Sequence, residues 1–313
     1  GSWRAGIEAT SGRTQGERLV RELIGLLSLC LVAAAAAPAQ AQSPVDRGRY
    51  LVEVLGACGN CHTPKGPTGD LPGKHLAGGF QLEDEGLGTW ISPNITPDPE
   101  TGIGRWTDEE VIRAIREGRG RDGKTLGPPM PFGLYRRLAD SDVRAMVAYL
   151  RTVTPVRQAV PRSQYKIPLP PAYGPPVGSM PDPPRTDPVK YGEYLAGPVA
   201  HCMECHTPFL PEGRPDTARL GAGGFPIAGP WGVSYAANLT PDPETGIGNW
   251  KDGEIIASIY GARRGGGRVL PPMPTQHYAQ GIAEGDLRAF IAYLRSLPPM
   301  RNQVPPPEPP KKP

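Results

Sequence analysis

The chain has 313 residues, a length typical of about two domains. Only 38% of the residues are hydrophobic and 7% are aromatic, so the apolar core is modest for this length. The net charge of +3 comes from 34 basic and 31 acidic residues without a basic block, which argues against a nucleic-acid-binding surface. Glycine and proline occur 41 times each, and because the chain repeats internally we attribute this excess to loops around compact helices.

Residues 1–41 have the pattern of a secretory signal peptide. Four arginines precede an apolar run over 23–37, and Ala39-Gln40-Ala41 follows as a cleavage pattern with small residues. The run is about 15 residues long, whereas a membrane-spanning helix needs roughly 20. The alternative is an uncleaved N-terminal anchor. The sequence therefore predicts a periplasmic protein with at most peripheral membrane contact, and Cys30 is expected to leave with the signal.

The rest of the chain is a duplication. Residues 94–106 recur as 238–250, with eleven of 13 positions identical at an offset of 144. Between the copies, residues 155–188 hold eleven prolines, which predicts a semi-rigid linker. Three apolar residues of the linker are expected to anchor it on a domain surface: Tyr165, Ile167 and Tyr173. The predicted organisation is a signal peptide 1–41, a first domain 42–154, a Pro-rich linker 155–187, a second domain 188–298 and a Pro-rich tail 299–313, in which residues 305–313 are expected to be mobile.

Both copies carry the spacing of amphipathic helices. One face of a helix is predicted at Val143, Met146, Val147 and Leu150, and it repeats as Leu287, Phe290, Ile291 and Leu294. A capping box from Thr107 to Glu110 predicts the start of another helix. The Gly/Pro-rich segments between helices are predicted to be loops, which need an internal scaffold. The sequence therefore predicts an all-α fold with two tandem domains of about three helices each.

Each copy also contains the sequence Cys-x-x-Cys-His, the attachment signal for c-type haem. The residues are Cys58, Cys61 and His62 in the first copy and Cys202, Cys205 and His206 in the second. Two thiols on one helical turn reach the two vinyl groups of a haem, and the adjacent histidine ligates the iron. A thioredoxin-like site needs a βαβ pattern, and the sequence shows none. A zinc site needs a second cysteine pair in each domain, and neither copy has one. The four cysteines therefore predict two covalently bound haem c groups.

Two methionines are predicted to supply the second axial ligand of each iron. Met130 and Met273 are the only methionines shared by the copies, and each lies in a Pro-Pro-Met-Pro loop whose prolines restrict the backbone. One alternative is a methionine that only packs on the haem. Another is that an unrepeated histidine, otherwise expected on the surface or in a loop, replaces a methionine: His75, His201 or His277. The predicted metal ligands are His62, Met130, His206 and Met273.

Two further pairs of repeated residues have two open interpretations. The repeated pairs are Asn94 with Asn238 and Trp106 with Trp250. The side-chain N–H groups of these residues are suited to donating hydrogen bonds to haem propionates. Equally, the tryptophans fill the core and the asparagines stabilise a turn.

These motifs resemble class I cytochrome c domains. The Cys-x-x-Cys-His sequence, residues 94–106 and the Pro-Pro-Met-Pro loop together look like the multihaem cytochrome c subunits of periplasmic alcohol, aldehyde, gluconate or nicotinate-type dehydrogenases. The resemblance covers about residues 44–154 and 188–298. It implies an electron-transfer subunit with a redox protein partner: a dehydrogenase as donor, and a cytochrome, an oxidase or quinone as acceptor. Well-known members carry three haem domains, whereas two are seen here.

The predicted ligands favour an electron carrier over an enzyme. An iron with histidine and methionine on its two axial sides has no open position for a substrate, which suits one-electron transfer without catalysis. The competing interpretation is a dihaem enzyme, a peroxidase or a thiosulfate-oxidising cytochrome, with one open or labile iron site. The near-identical motifs of the two copies argue against such specialisation.

Overall fold

The fold is taken from a computed structural model. It describes residues 42–211, 213–229, 231–263, 268–269 and 271–310. The predicted signal peptide lies outside the described residues. Ser43–Pro313 is one compact unit that contains both copies of the repeat. No helix among the described residues is long and apolar enough to cross a membrane.

Both copies contain the same succession of helices. In the first copy these are α1 Pro44–Arg49, α2 Gly59–His62, α3 Asp108–Glu117, α4 Phe132–Tyr135 and α5 Asp140–Leu150. In the second copy these are α6 Pro188–Tyr194, α7 Cys202–Cys205, α8 Asp252–Ile259, α9 Thr275–Tyr278 and α10 Glu284–Ser296. A π-helical segment extends α1 over Tyr50–Leu55, and another extends α6 over Leu195–Val199. A 3₁₀ turn lies at Thr217–Arg219.

Local sequence signals account for the helix ends and faces. At the start of α3 the Thr107 hydroxyl accepts the Glu110 N–H at 3.2 Å, and the Glu110 carboxylate accepts the Thr107 N–H at 2.8 Å. The helix ends at Gly118, whose φ of 62° is the left-handed conformation that glycine adopts without strain. The predicted apolar face of α5 is buried from Val143 to Leu150.

Seven short strands complete the part of the fold that the structure describes. They are β1 Lys65–Gly66, β2 Gly69–Asp70, β3 Gln81–Asp84, β4 Gly88–Ile91, β5 Gln164–Tyr165, β6 Pro226–Gly229 and β7 Gly232–Tyr235. All pairings between them are antiparallel. β1 pairs with β2, β4 lies between β3 and β5, and β6 pairs with β7.

The prediction of an all-α fold is therefore wrong. Helices account for 32% of the described residues, and strands together with isolated bridges account for about 11%. The segments that sequence reasoning assigned to loops fold back on themselves as hairpins, because backbone N–H and C=O groups near a core need partners. In the β3–β4 hairpin Gly88 has a φ of 103°, and a Cβ there would lie only 2.3 Å from the carbonyl oxygen of Gln164. Glycine thus marks a strand contact here, whereas the composition suggested a loop.

The linker packs on the first copy in the same way as the tail packs on the second. Gln164 and Tyr165 add a strand to the β3–β4 hairpin, and Glu308 forms a bridge with Val233 in the β6–β7 hairpin. Residues 164 and 308 are again 144 positions apart. The Glu308 carboxylate also accepts the Tyr235 hydroxyl at 2.6 Å, so the tail, which was expected to be mobile, is attached at this point.

Two of the three predicted linker anchors make contacts. The Tyr165 hydroxyl donates to the carbonyl oxygen of Pro128 at 2.7 Å, and the Tyr173 hydroxyl donates to that of Leu126 at 2.9 Å. Both acceptors lie in the segment that leads to Met130. Ile167 is 41% exposed, so its selection as an anchor was wrong.

The two copies pack against each other through reciprocal tyrosine contacts. The Tyr50 hydroxyl of the first copy donates to the Asp286 carboxylate at 2.8 Å, and it accepts the Ala283 N–H at 3.1 Å. At equivalent positions 144 residues away, the Tyr194 hydroxyl donates to Asp142 at 2.7 Å and accepts the Ala139 N–H at 3.1 Å. The same patch of each copy thus contacts its counterpart, as in a two-fold symmetric dimer. One apolar core spans both copies.

Candidate haem sites

The two Cys-x-x-Cys-His sequences form tight helical turns directly after the π-helical segments. The Cys58 N–H donates to the carbonyl oxygen of Val52 at 2.9 Å, which connects the first turn to a buried segment. The His62 N–H donates to the carbonyl oxygen of Cys58 at 2.8 Å, and the His206 N–H repeats this bond to Cys202 at 3.0 Å. The residue before each motif, Ala57 or His201, has a positive φ. Both turns therefore have the same backbone conformation.

Each motif histidine is oriented by a backbone carbonyl. The Nδ1 of His62 lies 2.9 Å from the carbonyl oxygen of Pro93, and the Nδ1 of His206 lies 2.7 Å from that of Ala237. Because a carbonyl only accepts, Nδ1 carries the proton and the lone pair resides on Nε2. Burial lowers the pKa of both histidines, which favours the neutral ring that a metal requires. The geometry suits iron ligation through Nε2.

The motif cysteines are half-buried free thiols among the described residues. Burial raises the pKa of Cys61 to about 11 and the pKa values of Cys58, Cys202 and Cys205 to about 12. They are therefore protonated thiols at neutral pH. Each pair is held on one helical turn, which suits two thioether bonds to one haem.

The two predicted methionine ligands lie in equivalent loops. Met130 and Met273 are half-buried against the apolar core, and Cys58 and Cys202 pack against this core too. The carbonyl oxygens of Met130 and Met273 accept N–H groups from Phe132 and Thr275, each at 2.8 Å. Both loops contain a cis bond, Pro128–Pro129 or Pro271–Pro272. A thioether is a soft donor that suits haem iron, so the residue types in each copy fit a haem c.

The repeated asparagines stabilise turns. The Asn94 side-chain oxygen accepts the Thr96 N–H at 2.9 Å, and its amide nitrogen donates to the carbonyl oxygen of Val156 at 2.8 Å. Asn238 makes the corresponding bonds to Thr240 at 2.9 Å and to Met300 at 2.8 Å. Of the two interpretations open from the sequence, the structure favours the turn. Trp106 and Trp250 are half-buried against the apolar core.

Two unrepeated histidines lie beside the first motif, where sequence reasoning did not place them. A Cβ on Gly59 would lie 3.1 Å from Cε1 of His277 and 3.7 Å from Cε1 of His75. His277 is only 5% exposed, so its prediction as a surface or loop residue was wrong. No periodicity or repeat pointed to it, because its position depends on how the copies pack.

Residues 45–154 match the Cytochrome c family model. This segment, about a third of the chain, is therefore a cytochrome c domain, a class of protein that binds haem c covalently and transfers electrons. The match agrees with the Cys-x-x-Cys-His turn and the oriented histidine described above.

Relatives extend this assignment over most of the chain. The fructose dehydrogenase cytochrome subunit of Gluconobacter japonicus is 34% identical, over 83% of this chain and 54% of its own length. The cytochrome c subunit of the alcohol dehydrogenase (quinone) of Gluconobacter oxydans is 33% identical, over 90% of this chain and 62% of its own length. A diheme cytochrome c-type protein of Cereibacter sphaeroides is 29% identical, over 78% and 82%. Over most of its length the chain is thus similar to cytochrome c subunits of dehydrogenases, and it spans 54% and 62% of the length of the first two relatives.

Proposed function

We propose that the protein binds two haem c groups and carries single electrons from a dehydrogenase to a respiratory acceptor in the periplasm. The observation that carries this proposal is the pair of equivalent histidine turns, each with Nδ1 held by a carbonyl at 2.9 or 2.7 Å. The iron ligands would be His62 and Met130 in the first site and His206 and Met273 in the second.

The chain's own residues would prepare each site for one-electron chemistry. When bound, the haem supplies an iron that alternates between ferric and ferrous states. Cys58 and Cys61 would tether it in the first copy, and the Pro93 carbonyl would keep the His62 ring in the orientation and tautomer that ligate iron. A site with a nitrogen and a sulfur ligand leaves no position for substrate, so the protein transfers electrons and does not transform a substrate.

We further propose the division into two haem domains, 42–154 and 188–298, behind a signal peptide. The names of the relatives support a dehydrogenase as donor, since two of them are cytochrome subunits of fructose and alcohol dehydrogenases. A cytochrome, an oxidase or quinone would be the acceptor. Co-purification from the native host, followed by identification of the associated subunits, tests the partner.

Haem content and ligation test the function itself. The mass of the purified protein should equal the processed polypeptide plus two haems, and a denaturing gel should retain haem stain. The oxidised protein should show the weak sulfur-to-iron charge-transfer band in the far red. Met130→Ala should remove about half of this band, and Met273→Ala should remove the other half. A mass with only one haem would overturn the predicted number of haems. Binding of carbon monoxide to the reduced wild-type protein would favour a dihaem enzyme.

A further inference from the structure

A polar cluster lies beside the first haem motif and joins both copies. Its members, called here the Glu53 cluster, are Glu53, His75, Tyr149 and His277. The Glu53 carboxylate accepts the Tyr149 hydroxyl at 2.7 Å and lies 2.8 Å from Nε2 of His75. The carbonyl oxygen of Glu53 lies 2.9 Å from Nδ1 of His277. Since His75 and His277 also flank Gly59, the cluster is adjacent to the segment that bears Cys58 and Cys61.

Glu53 carries a buried negative charge at neutral pH. Its side chain is only 12% exposed. Burial acts to raise the pKa of Glu53, but the hydrogen bonds from His75 and Tyr149 outweigh burial, and the net pKa is lowered. Burial lowers the pKa of His277, so this ring is neutral, and its Nε2 has no hydrogen-bond partner among the described residues. The charge acts on the first motif, since it contributes to the raised pKa of Cys58.

The second copy has no carboxylate at the corresponding place. An equivalent hydrogen bond in each copy aligns their residues in this region. Leu76 in the first copy and Gly221 in the second each donate their N–H to a threonine hydroxyl, at 3.1 and 3.3 Å. The residues that correspond to the cluster are Gly197 for Glu53, Leu220 for His75, Leu134 for His277 and Tyr293 for Tyr149. Only the tyrosine is retained, so the surroundings of the two motifs differ in charge.

We propose that Glu53 lowers the reduction potential of the first haem below that of the second, so that electrons pass through the chain from the first haem to the second. The inference rests on the proposed function. A ferric haem carries one more positive charge than a ferrous haem, and a buried anion nearby stabilises the ferric form. The two sites are in contact, because the Asn60 amide donates to the carbonyl oxygen of Pro272 at 3.3 Å, next to Met273.

The other charges near the first motif do not cancel this difference. The Lys65 ammonium donates to the carbonyl oxygen of Gly59 at 3.3 Å, but it also forms an ion pair with Asp70. Glu204 lies within the second motif and contributes to the raised pKa values of both Cys61 and Cys205, so its charge acts on both sites. His75 is the cation that partly offsets Glu53, and it is 49% exposed to solvent, which screens its charge.

A potentiometric titration of the intact dihaem protein, followed by absorbance, tests the inference. Glu53→Gln keeps the hydrogen-bonding shape and removes the charge. The lower of the two reduction potentials should rise by about 59 mV. For a one-electron couple this corresponds to about a tenfold change in the ratio of reduced to oxidised haem at a fixed applied potential. The higher potential should stay in place. Glu109→Gln, the same change at an exposed position of α3, is the matched control and should move neither step.

A second variant should shift the reduction potential of the first haem in the opposite direction. Glu53 raises the pKa of His75 through their hydrogen bond, so the ring is charged at pH 6. His75→Leu, which introduces the residue type of the second copy, should therefore lower the first potential at pH 6. Movement of the higher step, or no movement in either variant, would overturn the inference. Haem mass and the far-red band measured on the same samples report separately on the proposed function.

Discussion

Asp142 and Asp286 occupy equivalent positions in the first turns of α5 and α10, and both are buried, but they have different hydrogen-bond partners. Asp142 receives two hydrogen bonds from the Arg47 guanidinium, each at 2.8 Å, together with the Tyr194 hydroxyl. Asp286 receives the Tyr50 hydroxyl, and Tyr191 replaces arginine on its own helix. The duplication therefore retained the carboxylate at the contact between copies, while among the described residues only Asp142 forms a direct ion pair with an arginine.

This difference has an energetic consequence. Removing one member of a buried ion pair leaves an uncompensated charge, whereas removing the acceptor of a neutral hydroxyl leaves only an unsatisfied dipole. The halves should thus respond unequally to the same substitution, although their backbones follow the same course.

The largest effect is expected for Asp142→Ala. It leaves the Arg47 guanidinium without its carboxylate, with the two side chains 11% and 4% exposed in the wild type. We expect the free energy of unfolding to fall by about 3–5 kcal/mol. Urea denaturation of the haem-loaded protein, followed by circular dichroism, measures this loss.

Asp286→Ala is the matched change in the second copy. It leaves the hydroxyls of Tyr50 and Tyr191 without their carboxylate acceptor. Both tyrosines are uncharged at neutral pH, and burial raises their pKa values further. We expect a loss of about 1–3 kcal/mol in the same urea experiment. Equal losses for the two alanine variants would show that the arginine makes no difference.

A pH-dependent comparison uses His277, which stands where the first copy has Leu134. Burial lowers the pKa of His277, so the unfolded chain binds a proton more readily than the folded chain, and stability falls as the pH drops below about 6.5. His277→Leu removes this proton uptake. The variant should gain stability relative to the wild type between pH 7 and pH 5, by at most about 1.4 kcal/mol per pH unit. A constant difference across this range would contradict the expectation.

The smallest effect concerns the starts of α3 and α8. Thr107 caps α3, whereas Lys251 stands at the equivalent position before α8 and has no acceptor in its side chain. The Glu254 carboxylate already accepts the Lys251 N–H at 2.7 Å, so half of a capping box is present. Lys251→Thr should complete it and stabilise the protein by about 1 kcal/mol, and Thr107→Ala should cost about as much. The thermal midpoints of both variants provide the measurement.

Sequence reasoning was accurate where a local pattern sufficed. The apolar face from Val143 to Leu150 and the capping box at Thr107 follow from spacing within one helix, and both are present. It failed at the hairpins, because Gly88 and its neighbours pair with strands whose own signal is only a few residues long. The methionine ligands remain a prediction from the repeat.

The sequence by itself determined the duplication and the two haem-attachment motifs, because covalent attachment requires two cysteines and a histidine at a spacing that is legible within five residues. Only the tertiary structure decided which charges surround each motif. Glu53 meets His75 across 22 positions and His277 across 224, and no periodicity within one copy encodes these distances. The contact with His277 arises because the two copies bury one apolar core together, and that packing brings a histidine of the second copy against the Cys-x-x-Cys-His turn of the first.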